Sequence, residues 1–234
     1  MGLRMTTARG RLAAHRLAPP SRPAIRSVAE AIHYGQAWRS ARSIRNLLDP
    51  LTLEWQRANA EHFDRSLEDV RALEGGSRAP IGFLFGSVFR PNGHSLDLGL
   101  MSCRVVTDAG VGFIVDAFQG LVTASDMRYH GLGTSSTAES ATDTALLSEL
   151  TTQYATDNTR ATGSLGEKSG DAKTFETVAT NTVDASATIT EHGVLSNASV
   201  GSGVLIDRSV FTGVPLVSAE SLATTYQFTL PSGG

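Results

Sequence analysis

The chain has 234 residues, of which 41% are hydrophobic and 18% charged, so it can bury a core and is not a wholly disordered protein. Its single cysteine, Cys103, excludes an intrachain disulfide framework and leaves too few thiolates for a structural zinc site. No window approaches the roughly 20 consecutive apolar residues of a membrane span, and no apolar stretch follows the first arginines as a secretory signal requires, so we expect no membrane contact.

The formal net charge of −3 conceals two halves of opposite sign. Residues 1–80 carry 13 arginines and 8 acidic residues, a net charge of +5, whereas residues 81–234 carry 7 basic and 15 acidic residues, a net charge of −8. The first part of one copy is therefore attracted to the second part of another, with a strength that salt reduces. This charge distribution predicts self-assembly.

Residues 1–24 form a predicted extended basic arm, because they contain no acidic residue and three prolines that interrupt helix: Pro19, Pro20 and Pro23. An arginine-rich, acid-poor start is also typical of an organelle transit peptide, although nothing else in the chain indicates an organelle enzyme. Nine arginines against one acidic residue in residues 1–45 could contact nucleic acid through phosphates. Only Tyr34 and Trp38 could stack on bases there, so docking on an acidic protein surface is favoured over nucleic acid.

Residues 25–74 predict two helices. Ser27 and Glu30 have the spacing of a capping box, and the first amphipathic pattern runs from Val28 to Leu48. After Asp49-Pro50 a second pattern runs from Leu51 to Leu73 and ends at Gly75-Gly76. The two helices have too little apolar surface for a core of their own, so we interpret them as an assembly anchor. Residues 75–97 are then a linker leading into the next domain.

Residues 98–234 have the composition of a β-domain, with short β-branched runs between turn signals. Thr107-Asp108 predicts the start of one short helix that ends at Gln119-Gly120. Alternation in 183–189 and in 222–230 predicts two-sided antiparallel strands. The predicted fold class is α+β: a basic helical N-terminal arm followed by a mainly antiparallel β-sandwich with one short helix. The predicted strands cover residues 98–106, 127–133, 159–166, 172–181, 185–194, 204–211 and 221–230.

The sequence predicts no catalytic, cofactor-binding or metal-binding residue, and the protein is not expected to be an enzyme. The glycine-rich run 130–137 lacks the lysine of a phosphate-binding loop, so its glycines are interpreted as allowing tight turns where a strand ends. Cys103 is interpreted as a small buried hydrophobe. The following residues could be imagined as a metal or acid-base cluster, but no ligand spacing supports one, and the adjacent Glu191 and His192 would point to opposite faces of a strand: Asp116, Asp126, His130, Asp143, Glu191 and His192.

Five segments in order resemble the β-domain of a set of tailed-bacteriophage virion structural proteins, over about residues 98–230. They are Tyr129-His130-Gly131-Leu132-Gly133-Thr134, Thr142-Asp143-Thr144-Ala145-Leu146, Arg160-Ala161-Thr162-Gly163, Ile189-Thr190-Glu191-His192-Gly193-Val194 and Leu205-Ile206-Asp207-Arg208-Ser209-Val210-Phe211. The resemblance implies a β-sandwich displayed on a virion that is assembled in the host cytoplasm. Such a protein would be a capsid decoration or minor head protein, or part of a fibre, collar or baseplate.

We compare three hypotheses for the function of the chain. The first is a structural virion protein whose partners are copies of itself and other virion proteins, with the N-terminal arm as anchor. The second is a module that binds host-surface glycan through loops 134–145 or 196–203, since loops at one end of a sandwich often bind ligands. The third is a glycan hydrolase, which would need two carboxylates at a defined separation. The first is preferred.

Overall fold

The computed structural model describes residues 81–230, except for the side chains of Ile81, Arg104 and Val105. The predicted basic arm, the two predicted helices and the first residues of the predicted linker therefore lie outside the described residues.

The described part consists mainly of two antiparallel sheets with one α-helix, which confirms the predicted β-rich architecture. Sheet A has the strand order β2-β1-β9-β6-β5, and sheet B has the order β4-β3-β7-β8. In chain order the elements are β1 (Ile81–Phe89), β2 (Ser95–Val105), α1 (Asp108–Phe118), a 3-10 turn (Ala124–Asp126), β3 (Tyr129–Gly133), β4 (Ala161–Thr162), β5 (Ser164–Lys168), β6 (Asp171–Thr182), β7 (Ala187–Leu195), β8 (Leu205–Leu216) and β9 (Ser221–Thr229).

The main hydrophobic core lies between the two sheets. Leu84 of β1 and Leu222 of β9 meet Leu132 of β3 and Ile189 of β7 there. The predicted alternation of β9 is confirmed for its four inward residues, all of them buried: Leu222, Thr224, Tyr226 and Phe228. Leu230, predicted to be the fifth, lies beyond the strand and is half exposed, because β9 ends at Thr229.

The largest correction concerns residues 81–97, which were expected to be linker but form β1 and the start of β2. β1 lies between β2 and β9, so it is an interior strand of sheet A. Both of its faces are buried, Leu84 on one side and Phe83 and Phe85 on the other. A strand that is buried on both faces has a nearly continuous apolar sequence without alternation. The pattern used for the other strands therefore missed it.

Two other predicted strands have different limits in the structure. The predicted strand 159–166 is divided at Gly163 into β4, which pairs with β3 in sheet B, and β5, which pairs with β6 in sheet A. The alternation from Val183 to Ile189 is not a single strand, because β6 ends at Thr182 and β7 begins at Ala187. Val183 and Ile189 are both buried, but a turn separates them.

The predicted short helix is confirmed as α1. Thr107 is its N-cap, and its Oγ1 accepts a hydrogen bond from the Gly110 amide at 2.9 Å. The same hydroxyl donates to the Leu205 carbonyl at 2.7 Å and so attaches the helix to β8. A Cβ on Gly110 would collide with the Ile206 backbone, so glycine permits this close contact. In residues 81–230 no helix is long and apolar enough to span a membrane.

Candidate functional site

An open apolar groove of about 440 Å³ runs beside α1. One wall is α1, the opposite wall is the β5-β6 hairpin, and the end of β9 closes the floor. The groove is lined mainly by apolar side chains, including Phe113, Phe118, Met127, Leu165, Phe175 and Leu230. It therefore offers a concave apolar surface at one end of the sandwich.

The groove continues into an exposed apolar ridge on α1. Phe118 is 81% exposed and Leu121, just beyond the helix, is 70% exposed. Val115, one turn before Phe118, is half exposed. Single exposed apolar residues are ordinary on a protein surface, but a contiguous patch beside an apolar concavity marks an interaction site. We call the groove together with Val115, Phe118 and Leu121 the α1 groove.

Charged groups are sparse in the α1 groove. Among its described lining residues only Glu167 and Lys173 are charged, and both belong to the β5-β6 hairpin. A site that orients a small polar substrate uses several convergent polar groups. The α1 groove is suited instead to burying another apolar surface, which stabilises a complex by about 25 cal/mol per Å² of apolar area.

The glycine-rich run has a different role from the predicted one. Gly131 and Gly133 lie within β3 and neither has a positive φ, so they do not form turns. A Cβ on Gly131 would come within 2.8 Å of Leu146, and one on Gly133 within 2.7 Å of the Ser148 carbonyl oxygen. Gly193 of β7 likewise faces Leu146. These glycines make room for residues 146–149 of the loop 134–160, which packs closely on the outer face of sheet B.

A buried ion-pair cluster holds the loop 134–160 to that face. Arg208 of β8 donates from Nε to Glu191 Oε2 at 2.9 Å and from Nη1 to Asp143 Oδ2 at 3.0 Å. Glu191 also accepts from the backbone amides of Leu147 at 3.2 Å and Ser148 at 2.7 Å. The carboxylates of Asp143 and Glu191 thus meet in space, but they hold a loop in place: both Glu191 oxygens and Asp143 Oδ2 accept hydrogen bonds from protein donors.

A second arginine, Arg160, joins the loop 134–160 to the loop 196–204. The Arg160 guanidinium donates two hydrogen bonds to the Glu149 carboxylate, from Nε to Oε1 and from Nη2 to Oε2 at 2.8 Å. Its Nη1 also donates to the carbonyls of Asn197 at 2.7 Å and Ser202 at 2.8 Å. The loop 134–160 and the loop 196–204 are therefore held in one position relative to each other.

A histidine pair, which the sequence did not predict, lies between the sheets. His130 Nδ1 is 3.0 Å from His192 Nε2 and 2.8 Å from Thr224 Oγ1, and His130 Nε2 is 3.1 Å from Thr177 Oγ1. Burial lowers the pKa of His130 to about 3. Burial, and then the neighbouring His130, lower the pKa of His192 well below its usual value. Both rings are therefore neutral at pH 7.

His192 and Glu191 point to opposite faces of β7, as predicted from their adjacency. His192 contacts His130 inside the sandwich, and Glu191 contacts Arg208 on the outer face. Asp116 lies on α1, and Asp126 lies 4.0 Å from Arg128 in an exposed pair, so neither joins these clusters. Cys103 is buried in β2. In the described part of the chain, no group of three or more His, Cys, Asp or Glu side chains could hold a metal ion.

The sequence signal for the α1 groove was visible but ambiguous. Val111, Ile114, Val115 and Phe118 make α1 apolar around most of its circumference, yet only Phe113 among its large side chains is fully buried. Sequence alone does not distinguish a helix buried all round from one that exposes an apolar face. Comparison of the chain with family models, with curated proteins and with solved structures found no match.

Proposed function

We propose that the chain is a non-catalytic structural component of a bacteriophage particle, and that neighbouring copies join through the α1 groove. The observation that carries the proposal is the exposed Phe118 and Leu121 beside an apolar concavity. The resemblance of residues 98–230 to virion structural proteins supports the role in a bacteriophage particle. Capsid decoration, a minor head protein and a tail-associated protein are the positions in the particle that it implies.

The occupant we propose for the α1 groove is the amphipathic segment 25–48 of a second copy. Its apolar positions are Val28, Ile32, Trp38, Ile44 and Leu47, and an apolar helix face in an apolar groove is a common recognition mode. The segment has four arginines and one acidic residue, whereas residues 81–234 have a net charge of −8. Opposite charges favour this pairing over the pairing of two β-domains, which repel each other.

Sedimentation of the full chain at several concentrations tests this pairing. The wild type should associate, and Phe118→Asp or Leu121→Asp should shift the mass towards the monomer, because the new carboxylate would have to leave water and lie against the apolar face of the segment 25–48. Val217→Asp is the matched control, since Val217 is 55% exposed but lies beyond β8, outside the groove. Equal association of Phe118→Asp and wild type would contradict the proposal.

Imaging of particles that carry a bulky tag on the C-terminus of the chain tests the virion role. Label over the whole head indicates decoration, and label at a vertex or on the tail indicates a minor or tail-associated protein.

Deletion of residues 1–74 should prevent incorporation of the chain into particles, and normal incorporation of the deleted chain would refute the anchor role. Retention of the purified chain on host-surface polysaccharide would favour the glycan-binding alternative, although loops 134–145 and 196–203 contain no aromatic residue that could stack on sugar.

A further inference from the structure

Part of the outer face of sheet A, which points away from sheet B, is buried, although Phe89 and Val178 on the same face are 46% and 37% exposed. Phe83 and Phe85 of β1 and Leu100 and Cys103 of β2 lie on this face, and none of the four is more than 6% exposed. Their placement follows from register, since Phe83 is opposite Cys103 and Phe85 opposite Leu100, whereas Leu84 between them enters the main core. An apolar row of this kind on an open sheet face would normally be in contact with water.

The polar residues that continue this face on β9 are buried too. Thr225, Gln227 and Thr229 alternate with the inward-facing Tyr226 and Phe228, and none exceeds 8% exposure. Lys168 of β5 reaches over them, donating from Nζ to Gln227 Oε1 at 3.1 Å and lying 5.9 Å from the centre of the Phe85 ring. One lysine side chain is too small to cover strands β2, β1 and β9 together.

The other large features of the described part lie elsewhere. The helix α1 packs on β8 of sheet B. Residues 146–149 of the loop 134–160 lie on the outer face of sheet B, and Leu150 and Tyr154 of the same loop enter the main core between the sheets. Within residues 81–230 neither the helix nor this long loop is available to cover sheet A. The cover must come from a part of the chain outside this range or from another molecule.

We infer that residues 51–73 of the same chain cover the outer face of sheet A as an amphipathic helix. This segment directly precedes β1, separated from it by residues 74–80, and a connection of this length is common between adjacent packed elements. Its apolar positions recur at helical spacing: Leu53, Ala60, Phe63, Leu67 and Val70. Twenty-three helical residues would extend roughly 35 Å, comparable to the roughly 30 Å of a nine-residue strand.

Each side of this contact supplies what the other lacks. The segment has one apolar stripe and no core of its own, and sheet A has an apolar face. The segment 25–48 and the basic arm would then remain to contact neighbouring molecules.

The reactivity of Cys103 towards a soluble thiol reagent tests the inference in the full chain, where it is the only cysteine. The wild type should react slowly, and Phe63→Glu or Leu67→Glu should accelerate the reaction at least tenfold by displacing the segment. Asp69→Asn is the matched control, because helical spacing places Asp69 opposite the apolar stripe, and its reaction should remain slow. Protection that disappears on dilution of the wild type would show that a second copy is the cover and would overturn the inference.

A second cysteine position separates displacement of the segment from unfolding. In the variant Cys103→Ser/Ala179→Cys, the new thiol lies on the inward side of β6, where Ala179 is 5% exposed. Adding Leu67→Glu to this variant should leave the thiol at position 179 protected, whereas Leu67→Glu alone should make Cys103 of the otherwise wild-type chain reactive. Continued protection of Cys103 in the folded Leu67→Glu chain would refute the inference. Phe118→Asp should change association but not Cys103 reactivity, so this result is independent of the proposed function.

Discussion

Arg208 holds the loop 134–160 from a position with no solvent exposure, and its substitution should be costly. Arg208→Met removes the partner of Glu191, whose side chain is also fully buried. Breaking a buried ion pair by removing one member leaves an uncompensated charge and costs about 3–5 kcal/mol. We expect a loss of this order in the free energy of unfolding measured with urea.

The exposed ion pair between Arg90 and Glu220 provides the control for this substitution. Its nitrogen and oxygen are 3.3 Å apart, but the Arg90 side chain is 42% exposed. Arg90→Met should therefore change the free energy of unfolding by less than about 1 kcal/mol. Similar losses for the two variants would mean that the Arg208 cluster has no special role in stability.

Because burial lowers the pKa values of the two histidines, the free energy of unfolding should decrease as the pH falls. The unfolded His130 has a pKa near 6.5 and the folded one about 3, so the unfolded state binds a proton that the folded state excludes between these values. The contribution of His130 is complete above pH 6.5 and is lost as the pH falls towards 3. The slope is up to about 1.4 kcal/mol per pH unit.

His130→Gln should reduce that pH dependence, because it removes the group whose protonation differs between the two states. Urea unfolding at pH 7.5, 6 and 5 should give a shallower decrease for the variant than for the wild type. His94→Gln is the control, since His94 is exposed in the β1-β2 turn. Parallel curves for wild type and His130→Gln would show that the pair does not titrate as inferred.

At the scale of elements, the packing of the loop 134–160 on β3 depends on the absence of a side chain at Gly133. Gly133→Ala places a methyl group against Glu191 and within 2.7 Å of the Ser148 carbonyl oxygen, which is backbone and cannot rotate away. Crowding of this kind costs about 1–3 kcal/mol. We expect a lower free energy of unfolding and faster amide exchange in residues 145–150.

Gly166 is the matched strand glycine for this comparison. It lies in β5, and a Cβ there would meet nothing within 4 Å. Gly166→Ala should leave amide exchange in residues 145–150 unchanged and alter stability little. Faster exchange in both variants would indicate a general effect of glycine removal rather than loss of the close contact.

Sequence patterns predicted those helices and strands whose formation depends on residues close to one another in the chain. Thr107 predicted the start of α1 because capping involves residues three apart, and alternation predicted β9 because one of its faces lies in the core. β1 was missed because both of its faces carry apolar side chains, whereas the outward residues of β9 are polar although they are buried too: Thr225, Gln227 and Thr229. The contact between His130 and His192 could not be predicted, because it depends on the pairing of β3 with β7, and 62 residues separate the two rings in sequence.

The candidate site shows the same limit. The apolar character of α1 was visible in the sequence, but its exposed side is defined only by the position of β8 and of the β5-β6 hairpin. Likewise, Asp143 and Glu191 were singled out by residue type, and only the fold shows that Arg208 lies between them. Side-chain chemistry is local information, whereas the convergence of side chains is a property of the whole chain.

At the scale of the whole molecule, the two proposed docking surfaces lie in different places and use different parts of the N-terminal region. Residues 51–73 would cover sheet A within one copy, and residues 25–48 would enter the α1 groove of the next. Because the first contact is intramolecular and the second intermolecular, only the second depends on protein concentration. Association and Cys103 protection can therefore be measured separately on the same sample.

Association through the α1 groove should depend on salt, because it joins the segment 25–48, with four arginines and one acidic residue, to residues 81–234, with a net charge of −8. The screening length falls from about 30 Å at 0.01 M salt to about 3 Å at 1 M, so long-range attraction is lost while burial of Phe118 remains. We expect wild-type association, followed by sedimentation, to weaken with salt but persist. Phe118→Asp should associate less than the wild type at every salt concentration. Association that strengthens steadily with salt would mean that apolar contact alone joins the copies and that the charge asymmetry has no part in assembly.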